Sequence, residues 1–289
     1  MPVTYLERLF PHELAAILQR KPALVLPFGT IEWHSYHLPV GLDSLKAQAL
    51  AERIAETADI ILGPLTPWAV GGVPFPYTIK FDLPLIETLM VRIFEQMAVF
   101  GFKVVLALTG HFGLEQTLAI KRASLQFMRQ SPITVWGAGE FEAAVALGYK
   151  GDHAAKWETS LLWASHSDLI RLDAVAADQP LPGVQGEDPR GSASQQLGET
   201  AVQAIVSRWA ALSDDLLQLD GVRRMQYIEA LSVGVRVLEA LLAERQAKPR
   251  SQVPPLATPA YLDHLDALYR FDFPAAQRHA ELKLTNLQA

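Results

Sequence analysis

Four short apolar runs, separated by helix-like segments, are the feature that most limits how this chain can fold. The runs are "ALVLPFGT" at 23–30, "DIILGPL" at 59–65, "KVVLALTG" at 103–110 and "ITVWGAG" at 133–139. Near-continuous apolar character is typical of parallel strands that are covered on both faces. Strands that alternate with helices predict an α/β fold, here a three-layer α/β/α sandwich around a mostly parallel central sheet.

The segments between and after these runs have the apolar period and the ends of α-helices. The predicted helices are 43–58, 83–101, 114–130, 192–219 and 222–246. Asp43 or Ser44 is a suitable N-cap for the first of them, and Gly101 ends the second. From residue 247 the sequence becomes rich in proline, and a short amphipathic piece around "YLDHLDALYRF" follows.

The composition excludes several classes of function. The 289 residues are 50% hydrophobic and 19% charged, which is enough for a sizeable core. A net charge of −6 without a Lys/Arg run argues against a nucleic-acid partner, and the absence of cysteine excludes thiolate metal sites. No signal peptide is evident, and no apolar stretch reaches the roughly 18 residues of a membrane span. We therefore expect a cytoplasmic protein with no membrane partner.

Ionisable side chains follow two of the apolar runs. Glu32 and His34 are two residues apart, so in an extended segment they point to the same side. Asp43 begins the next helical segment, and His111 follows the third run. Ligands of open α/β sheets bind beyond the carboxyl ends of the strands. The segment at 151–164 adds Asp152, His153 and Glu158.

This set of side chains has two interpretations. Carboxylates and imidazoles suit zinc, manganese or iron, and two such ions about 4 Å apart can share a hydroxide. Taken singly, each residue has an ordinary role: Asp43 as a helix cap, Asp152 as a loop acid, Glu158 as a surface residue of a helix. A lone histidine is also more often a hydrogen-bonded core or surface residue than a ligand. The spacing alone supports the two interpretations about equally.

Four separated blocks, in the expected order, resemble the creatininase (creatinine amidohydrolase) family. The blocks are "PFGTIEWHSYHLPVGLD", "TGHFG", "DHAAKWETS" and "GVQGEDPRGSASQQLGE". The resemblance implies an α/β/α fold and hydrolysis of C–N bonds in cyclic amides and formamides. It implies a single creatininase-like catalytic domain at 1–246. The Pro-rich C-terminal extension at 247–289 has no counterpart that the resemblance identifies.

The resemblance also implies the ligands of two divalent metal ions, which we expect to be zinc, manganese or iron. Glu32, Asp43 and His111 match the ligands of one ion. His34 and Glu158 match the ligands of the other, and Asp43 bridges the two ions. A hydroxide held between the ions would attack the amide carbonyl of a small-molecule substrate.

The remaining expected site residues act on the leaving group or shape the pocket. His153 matches the histidine that carries a proton to the leaving nitrogen. The residues expected to orient the ligands or line the pocket are Tyr36, His37, Trp68, Tyr77 and Asp152.

Several positions depart from the family pattern. Thr109 stands where the family usually has asparagine, and Ser35 and Tyr77 stand where it often has glycine. Gly113 occupies the position of an acidic ligand in creatininase itself, and therefore Glu158 is assigned to that ion. These changes leave the expected ligands intact and alter their surroundings. They favour a substrate other than creatinine and a divergent member of the family.

Three functions stay open at this point. The leading interpretation is a metal-dependent amidohydrolase that acts on a small cyclic amide, lactam or formamide. The second is a peptidase that trims a small peptide, as one branch of the family does. The third is a non-enzymatic ligand-binding protein on a decayed metal site, which the changes at Ser35, Thr109 and Gly113 motivate. For all three we expect a homo-oligomer, such as the hexamers found in the family.

Overall fold

A five-stranded parallel sheet forms the centre of the molecule. A computed structural model describes residues 2–288. Met1, which begins the predicted domain at 1–246, and Ala289, which ends the predicted extension at 247–289, lie outside the described residues. The strands are β1 (Thr4–Tyr5), β2 (Ala23–Phe28), β3 (Ile61–Leu62), β4 (Val104–Thr109) and β5 (Thr134–Gly139). Their order in the sheet is β1-β3-β2-β4-β5, and every neighbouring pair is parallel.

Each of the four predicted apolar runs contributes a strand to this sheet. All residues of β2, β4 and β5 are buried, which is why these strands have no alternation of polar and apolar residues. The run at 59–65 forms a paired strand of only two residues. The edge strand β1 was not predicted, because two residues are too few to show a period.

Helices cover both faces of the sheet. They are α1 (Pro11–Arg20), α2 (Leu42–Ala58), α3 (Leu83–Phe100), α4 (Leu114–Met128), α5 (Lys156–Ser165), α6 (Pro189–Ser192), α7 (Gln195–Leu217), α8 (Gly221–Ala247), α9 (Pro259–Tyr269) and α10 (Phe273–Gln288). Helix α4 contacts α3 and α8, whereas α7 contacts α2 and α5. These two groups form the outer layers, and the predicted α/β/α sandwich is confirmed. Across residues 2–288, no helix is long and apolar enough to span a membrane.

The chain after residue 247 packs on the same core as the sheet. Tyr261 and Leu265 of α9 and Phe273 of α10 are buried within the main hydrophobic cluster, and α10 packs along α8. The predicted Pro-rich extension is therefore Pro-rich only in its first part, and two helices follow.

The carboxyl ends of three strands are level with one another. Phe28 of β2 pairs with Thr109 of β4, which pairs with Gly139 of β5. The loops that leave β2 and β4 therefore start side by side at one edge of the sheet. Helix α2 begins at Leu42, so Asp43 lies in its first turn and the predicted cap at Asp43 or Ser44 is wrong.

Candidate metal centre

Six of the predicted site residues come together beyond the carboxyl ends of β2 and β4. The loop after β2 carries Glu32 and His34, and the first turn of α2 carries Asp43. The loop after β4 carries His111. His153 precedes α5, and Glu158 lies in its first turn. All except His153 are buried.

Asp43 joins two groups of side chains that could each hold a metal ion. One group is Glu32, Asp43 and His111, and the other is His34, Asp43 and Glu158; the ligand atoms within each lie within 4.8 Å of one another. Asp43 Oδ2 is 3.2 Å from His111 Nδ1, whereas Oδ1 is 3.4 Å from His34 Nε2. Each carboxylate oxygen therefore faces a different group, as in a bridging ligand. The groups have the same members as the two ligand sets inferred from the resemblance.

A third group contains His153. Its Nδ1 lies 3.9 Å from Glu32 Oε2, and its ring centroid is 4.5 Å from that of His34. Glu32, His34 and His153 each offer one ligand atom as well, and these three atoms lie within 4.8 Å of one another. His153 therefore borders the cluster, where it can act either on a bound substrate or on a metal.

Each of the three histidines gives one ring nitrogen to a backbone carbonyl. These contacts are His34 Nδ1 to Glu32 O at 3.0 Å, His111 Nε2 to Val70 O at 3.2 Å and His153 Nε2 to Trp33 O at 2.9 Å. A carbonyl oxygen only accepts hydrogen bonds, so the nitrogen that faces it carries the hydrogen. In a neutral imidazole the other nitrogen carries a lone pair, which here would face the cluster. Metal-binding histidines are commonly oriented in this way.

Several acceptor atoms in the cluster lack a donor. The buried atoms Glu32 Oε2, Asp43 Oδ1, Asp43 Oδ2 and His34 Nε2 have no hydrogen-bond partner among the described residues. His111 Nδ1 lies only 3.0 Å from Glu32 Oε2, although both are acceptors when the ring is neutral. Buried acceptors that face each other are costly unless a cation or a proton lies between them. The donor set therefore fits divalent cations.

The charges of the cluster favour the charged form of its histidines and of two of its carboxylates. Burial lowers the pKa of His34, but the carboxylates of Asp43 and Glu158 outweigh it and raise that pKa to about 9. Burial also lowers the pKa of His111, which Glu32 and Asp43 raise well above its usual value. Burial raises the pKa values of Glu32 and Asp43, yet the neighbouring histidines bring both below their usual range. The site thus stabilises positive charge.

Thr109 and Gly110 place His111 and Asp43 next to each other. Thr109 Oγ1 donates to His111 O at 2.6 Å and accepts a hydrogen bond from Gln116 Nε2 at 3.3 Å. A Cβ on Gly110 would lie 2.3 Å from the carbonyl oxygen of Asp43, so this loop approaches α2 as only glycine allows. Threonine thus orders the loop at the position where the family usually has asparagine.

Lys46 is a member of the site that the sequence analysis missed. Its buried ammonium donates to Glu158 Oε1 at 2.8 Å and pairs with Glu140 Oε1 at 2.7 Å. Tyr149 Oη also donates to Glu140 Oε1, at 3.1 Å. Burial lowers the pKa of Lys46, but the two carboxylates raise it above its usual value. The available signal was its place on α2 three residues after Asp43, on the same helix face.

Asp152 and His37 support α5, which carries Glu158. The Asp152 carboxylate accepts hydrogen bonds from the amides of Trp157 at 2.7 Å and Glu158 at 3.2 Å, so it caps the helix. Burial, and then the charge of Glu158, raise the pKa of Asp152 to about 7. His37 Nε2 contacts Thr159 Oγ1 at 3.2 Å, and burial lowers the pKa of His37 to about 4.

A cavity of about 770 Å³ opens from the cluster. Its inner end is lined by Glu32, His111, Asp152, His153 and Glu158. Glu115 lines the cavity too, but it belongs to none of the three groups.

The structure does not bring three of the expected pocket residues to this cavity. Tyr36, Trp68 and Tyr77 are 53%, 41% and 74% exposed and are not part of the cavity lining. Tyr36 packs edge-on against Trp33, and Trp68 packs edge-on against Phe81. Aromatic character and nearness to a motif therefore did not distinguish a pocket residue from a surface residue.

Comparisons with known proteins point to one family. The creatininase (creatinine amidohydrolase) family model matches residues 7–213. A creatinine amidohydrolase of Pseudomonas putida is 25% identical over 180 residues, which are 54% of this chain and 69% of that protein.

Solved structures of similar fold carry the same name. A crystal structure of creatinine amidohydrolase (creatininase) has a TM-score of 0.65 at 22% identity and covers 75% of this chain and 99% of its own. A structure described as "Creatininase Mn" has a TM-score of 0.64 at 20% identity, with coverage of 74% and 99%. A mutant creatininase described as "Zn-Zn type" has a TM-score of 0.62 at 20% identity, with coverage of 75% and 99%. Because the family model covers residues 7–213, which include strands β2 to β5 and helices α1 to α6, this chain belongs to the creatininase family of metal-dependent amidohydrolases.

Proposed function

We propose that this chain is a binuclear metal-dependent hydrolase that cleaves a C–N bond of a small cyclic amide, lactam or formamide. The observation that carries the proposal is Asp43, which offers one carboxylate oxygen to each of two buried ligand groups. The nitrogen and oxygen ligands suit zinc, manganese or iron. Solved relatives described with manganese and with zinc support the first two metals.

The residues of the cluster have separate tasks in this proposal. Glu32 and His111 would hold one cation, His34 and Glu158 would hold the other, and Asp43 would be shared. When bound, the two cations would acidify a water molecule and polarise the amide carbonyl. The hydrogen bond from Nε2 to the Trp33 carbonyl directs His153 Nδ1 at the cluster, where it can carry a proton to the leaving nitrogen.

Metal content and turnover, measured on the same preparations, test the proposal. We expect two metals per chain by elemental analysis and hydrolysis of at least one compound in a panel of cyclic amides, lactams and formamides. Asp43→Ala should lose both metals and turnover while its circular dichroism spectrum is retained. Glu115→Ala is the matched control, because Glu115 lines the cavity without joining a ligand group. Hydrolysis that persists in metal-free protein contradicts the proposal.

His153→Gln separates the two roles that the geometry allows for His153. A proton carrier can be lost with both metals retained, and kcat should then fall about 10²- to 10⁴-fold. If the metal content falls instead, His153 is a ligand of the third group, and the assignment of the proton carrier is wrong.

Two alternatives are tested by the same panel. A short peptide included among the substrates tests the peptidase interpretation. The decayed-site interpretation is weakened because Thr109 holds His111 in place and the buried ligand groups are complete without an acid at Gly113. If the protein binds no metal after reconstitution, the decayed-site interpretation would be favoured again. Assembly into a homo-oligomer such as a hexamer stays a prediction, which light scattering can check.

A further inference from the structure

The cavity at the candidate metal centre has its outer wall in the C-terminal extension. The residues that the Pro-rich segment and α9 contribute to this wall include Val253, Pro254, Pro255, Leu256, Tyr261 and Leu262. The match to the family model ends at residue 213, so every one of these residues lies beyond it. The part of the chain that the family match leaves out thus reaches the proposed catalytic site.

The Pro-rich part of this wall is held in place by a hydrogen bond from α10 and by packing on the core. Lys283 of α10 is only 2% exposed and donates from Nζ to the carbonyl oxygen of Pro255 at 2.9 Å. Lysine is seldom buried without a partner, and here the ammonium has a backbone carbonyl of this segment as its partner. Val253 and Leu256 also pack against the main hydrophobic core. The wall is therefore a built part of the fold.

The size and lining of the cavity indicate what it holds. A volume of about 770 Å³ lies in the upper part of the range of roughly 300–1,000 Å³ that is typical for drug-sized ligands. A small ring that bears only the reacting amide would leave most of this space to water. Away from the ligand cluster the lining combines apolar side chains, among them Phe112, Phe141 and the residues of the wall, with the polar or charged side chains of Lys150, Arg245 and Gln246.

We infer that the C-terminal extension selects amides that carry an apolar substituent, which lies against Val253 and Leu256 while the amide lies at the metal centre. This inference rests on the proposed function and deepens it by naming the substrate class. It makes Leu256 a specificity-determining residue and Lys283 a positioning residue.

A series of N-alkylformamides tests the inference on the full-length, metal-loaded protein, with formate release as the readout. The kcat/KM should rise about fourfold for each methylene that is buried, or about 60-fold from N-methylformamide to N-butylformamide. Leu256→Trp fills this part of the cavity and should bring the ratio of kcat/KM between N-butylformamide and N-methylformamide down to about 1. Leu282→Ala is the control, because Leu282 is 52% exposed and does not line the cavity.

Lys283→Met tests the fastening of the wall. It should lower the ratio of kcat/KM between N-butylformamide and N-methylformamide about tenfold, whereas a merely structural loss would lower both rates equally and leave this ratio unchanged. A truncated chain is not a useful variant, since Tyr261 and Phe273 are buried in the core. Equal rates along the series, or equal effects of Leu256→Trp on short and long substrates, would overturn the inference.

Binding measurements separate a failure of the proposed function from a failure of the inference about the apolar wall. If no formamide is hydrolysed, calorimetric binding of N-butylformamide against N-methylformamide replaces the rate comparison. Tighter binding of the butyl compound to wild type but not to Leu256→Trp would support the apolar wall on its own. Equal binding of both compounds would overturn the inference as well.

Discussion

Lys46 holds Glu158 at the candidate metal centre from a position where no solvent reaches it. Its ammonium lies between Glu158 and Glu140, and it also lies 4.8 Å from the ring centroid of Phe112. A buried charge of this kind is tolerated only while its partners are present. The side chain thus neutralises part of the negative charge of the cluster and fixes the direction of one carboxylate.

Replacing Lys46 by methionine should lower the free energy of unfolding by about 3 kcal/mol or more, because two buried carboxylates lose their counter-charge. Adding Glu140→Gln removes one of these charges and should recover at least about 1 kcal/mol. Urea denaturation of the wild type, both single variants and the double variant measures the coupling. Strictly additive losses would show that Lys46 and Glu140 do not act as a pair.

Ser35 carries backbone strain at a position where the family often has glycine. Its φ is 62°, and its buried hydroxyl has no hydrogen-bond partner among the described residues. Ser35→Gly should relieve both costs and raise the free energy of unfolding by about 1 kcal/mol, after allowance for the greater chain entropy of glycine. Urea denaturation measures the change. A loss of stability would show that neither the positive φ of Ser35 nor its buried hydroxyl destabilises the fold.

At the scale of residues, the sequence predicted which ionisable groups meet and missed what holds them. The pattern of acids and histidines at strand ends, read with the family blocks, indicated the six residues that the structure brings together. Lys46 and Glu158 are 112 residues apart, and nothing local in the sequence marks such a pair. The exposure of Tyr77 and its positive φ of 61° could not be inferred either, since both depend on the tertiary path of its loop.

At the scale of elements, apolar periodicity predicted the long pieces and lost the short ones. Helices α2, α3, α4, α7 and α8 lie within two or three residues of their predicted bounds. Strand β1 and helices α1, α9 and α10 were not predicted as elements. Helix α5 was also not assigned, because its ten residues begin without a capping side chain of the usual kind and instead use Asp152.

The packing of α7 on α5 depends on Gly198. A Cβ at this position would lie 1.8 Å from the carbonyl oxygen of Ser160, a backbone atom that cannot swing aside. Gly198→Ala should therefore separate the helices and lower the free energy of unfolding by about 3 kcal/mol, near the upper end for overpacking. Turnover should fall as well, because α5 carries Glu158.

Thermal and urea denaturation of Gly198→Ala measures the loss of stability, and Gly221→Ala is the matched control. Gly221 is the first residue of α8, and a Cβ there would have nothing within 4 Å. We expect no loss of stability from it. If the two variants behave alike, the close contact between α5 and α7 does not limit the stability of the fold.

At the scale of the whole molecule, the C-terminal helices are part of the same core as the proposed catalytic site. His264 of α9 lies where three helices meet: its Nδ1 contacts the Ala276 carbonyl of α10 at 2.8 Å, and a Cβ on Gly234 of α8 would lie 2.7 Å from its Nε2. The sequence showed a histidine in an amphipathic stretch and nothing of this junction. Its ring is buried, and burial disfavours the charged form of the ring.

Acid should weaken the fold through His264. Burial, which outweighs the hydrogen bond to the Ala276 carbonyl, together with the charges of Lys121 and His279 lowers its pKa to about 4. In the unfolded chain the pKa is about 6.5, so the stabilisation is complete above that pH and is lost as the pH falls towards 4. Between pH 7.5 and pH 5 the expected loss is about 2 kcal/mol from this residue.

His264→Asn keeps a donor for the Ala276 carbonyl but removes the titrating ring. It should therefore lose about 2 kcal/mol less than wild type between pH 7.5 and pH 5 in urea denaturation. His12→Asn, at an exposed position of α1, should lose as much as wild type. The loss of stability arises because the His264 imidazole binds a proton in the unfolded chain at a pH where it stays neutral in the folded protein. Equal losses in wild type and His264→Asn would mean that the ring is protonated without separating α9 from α8 and α10.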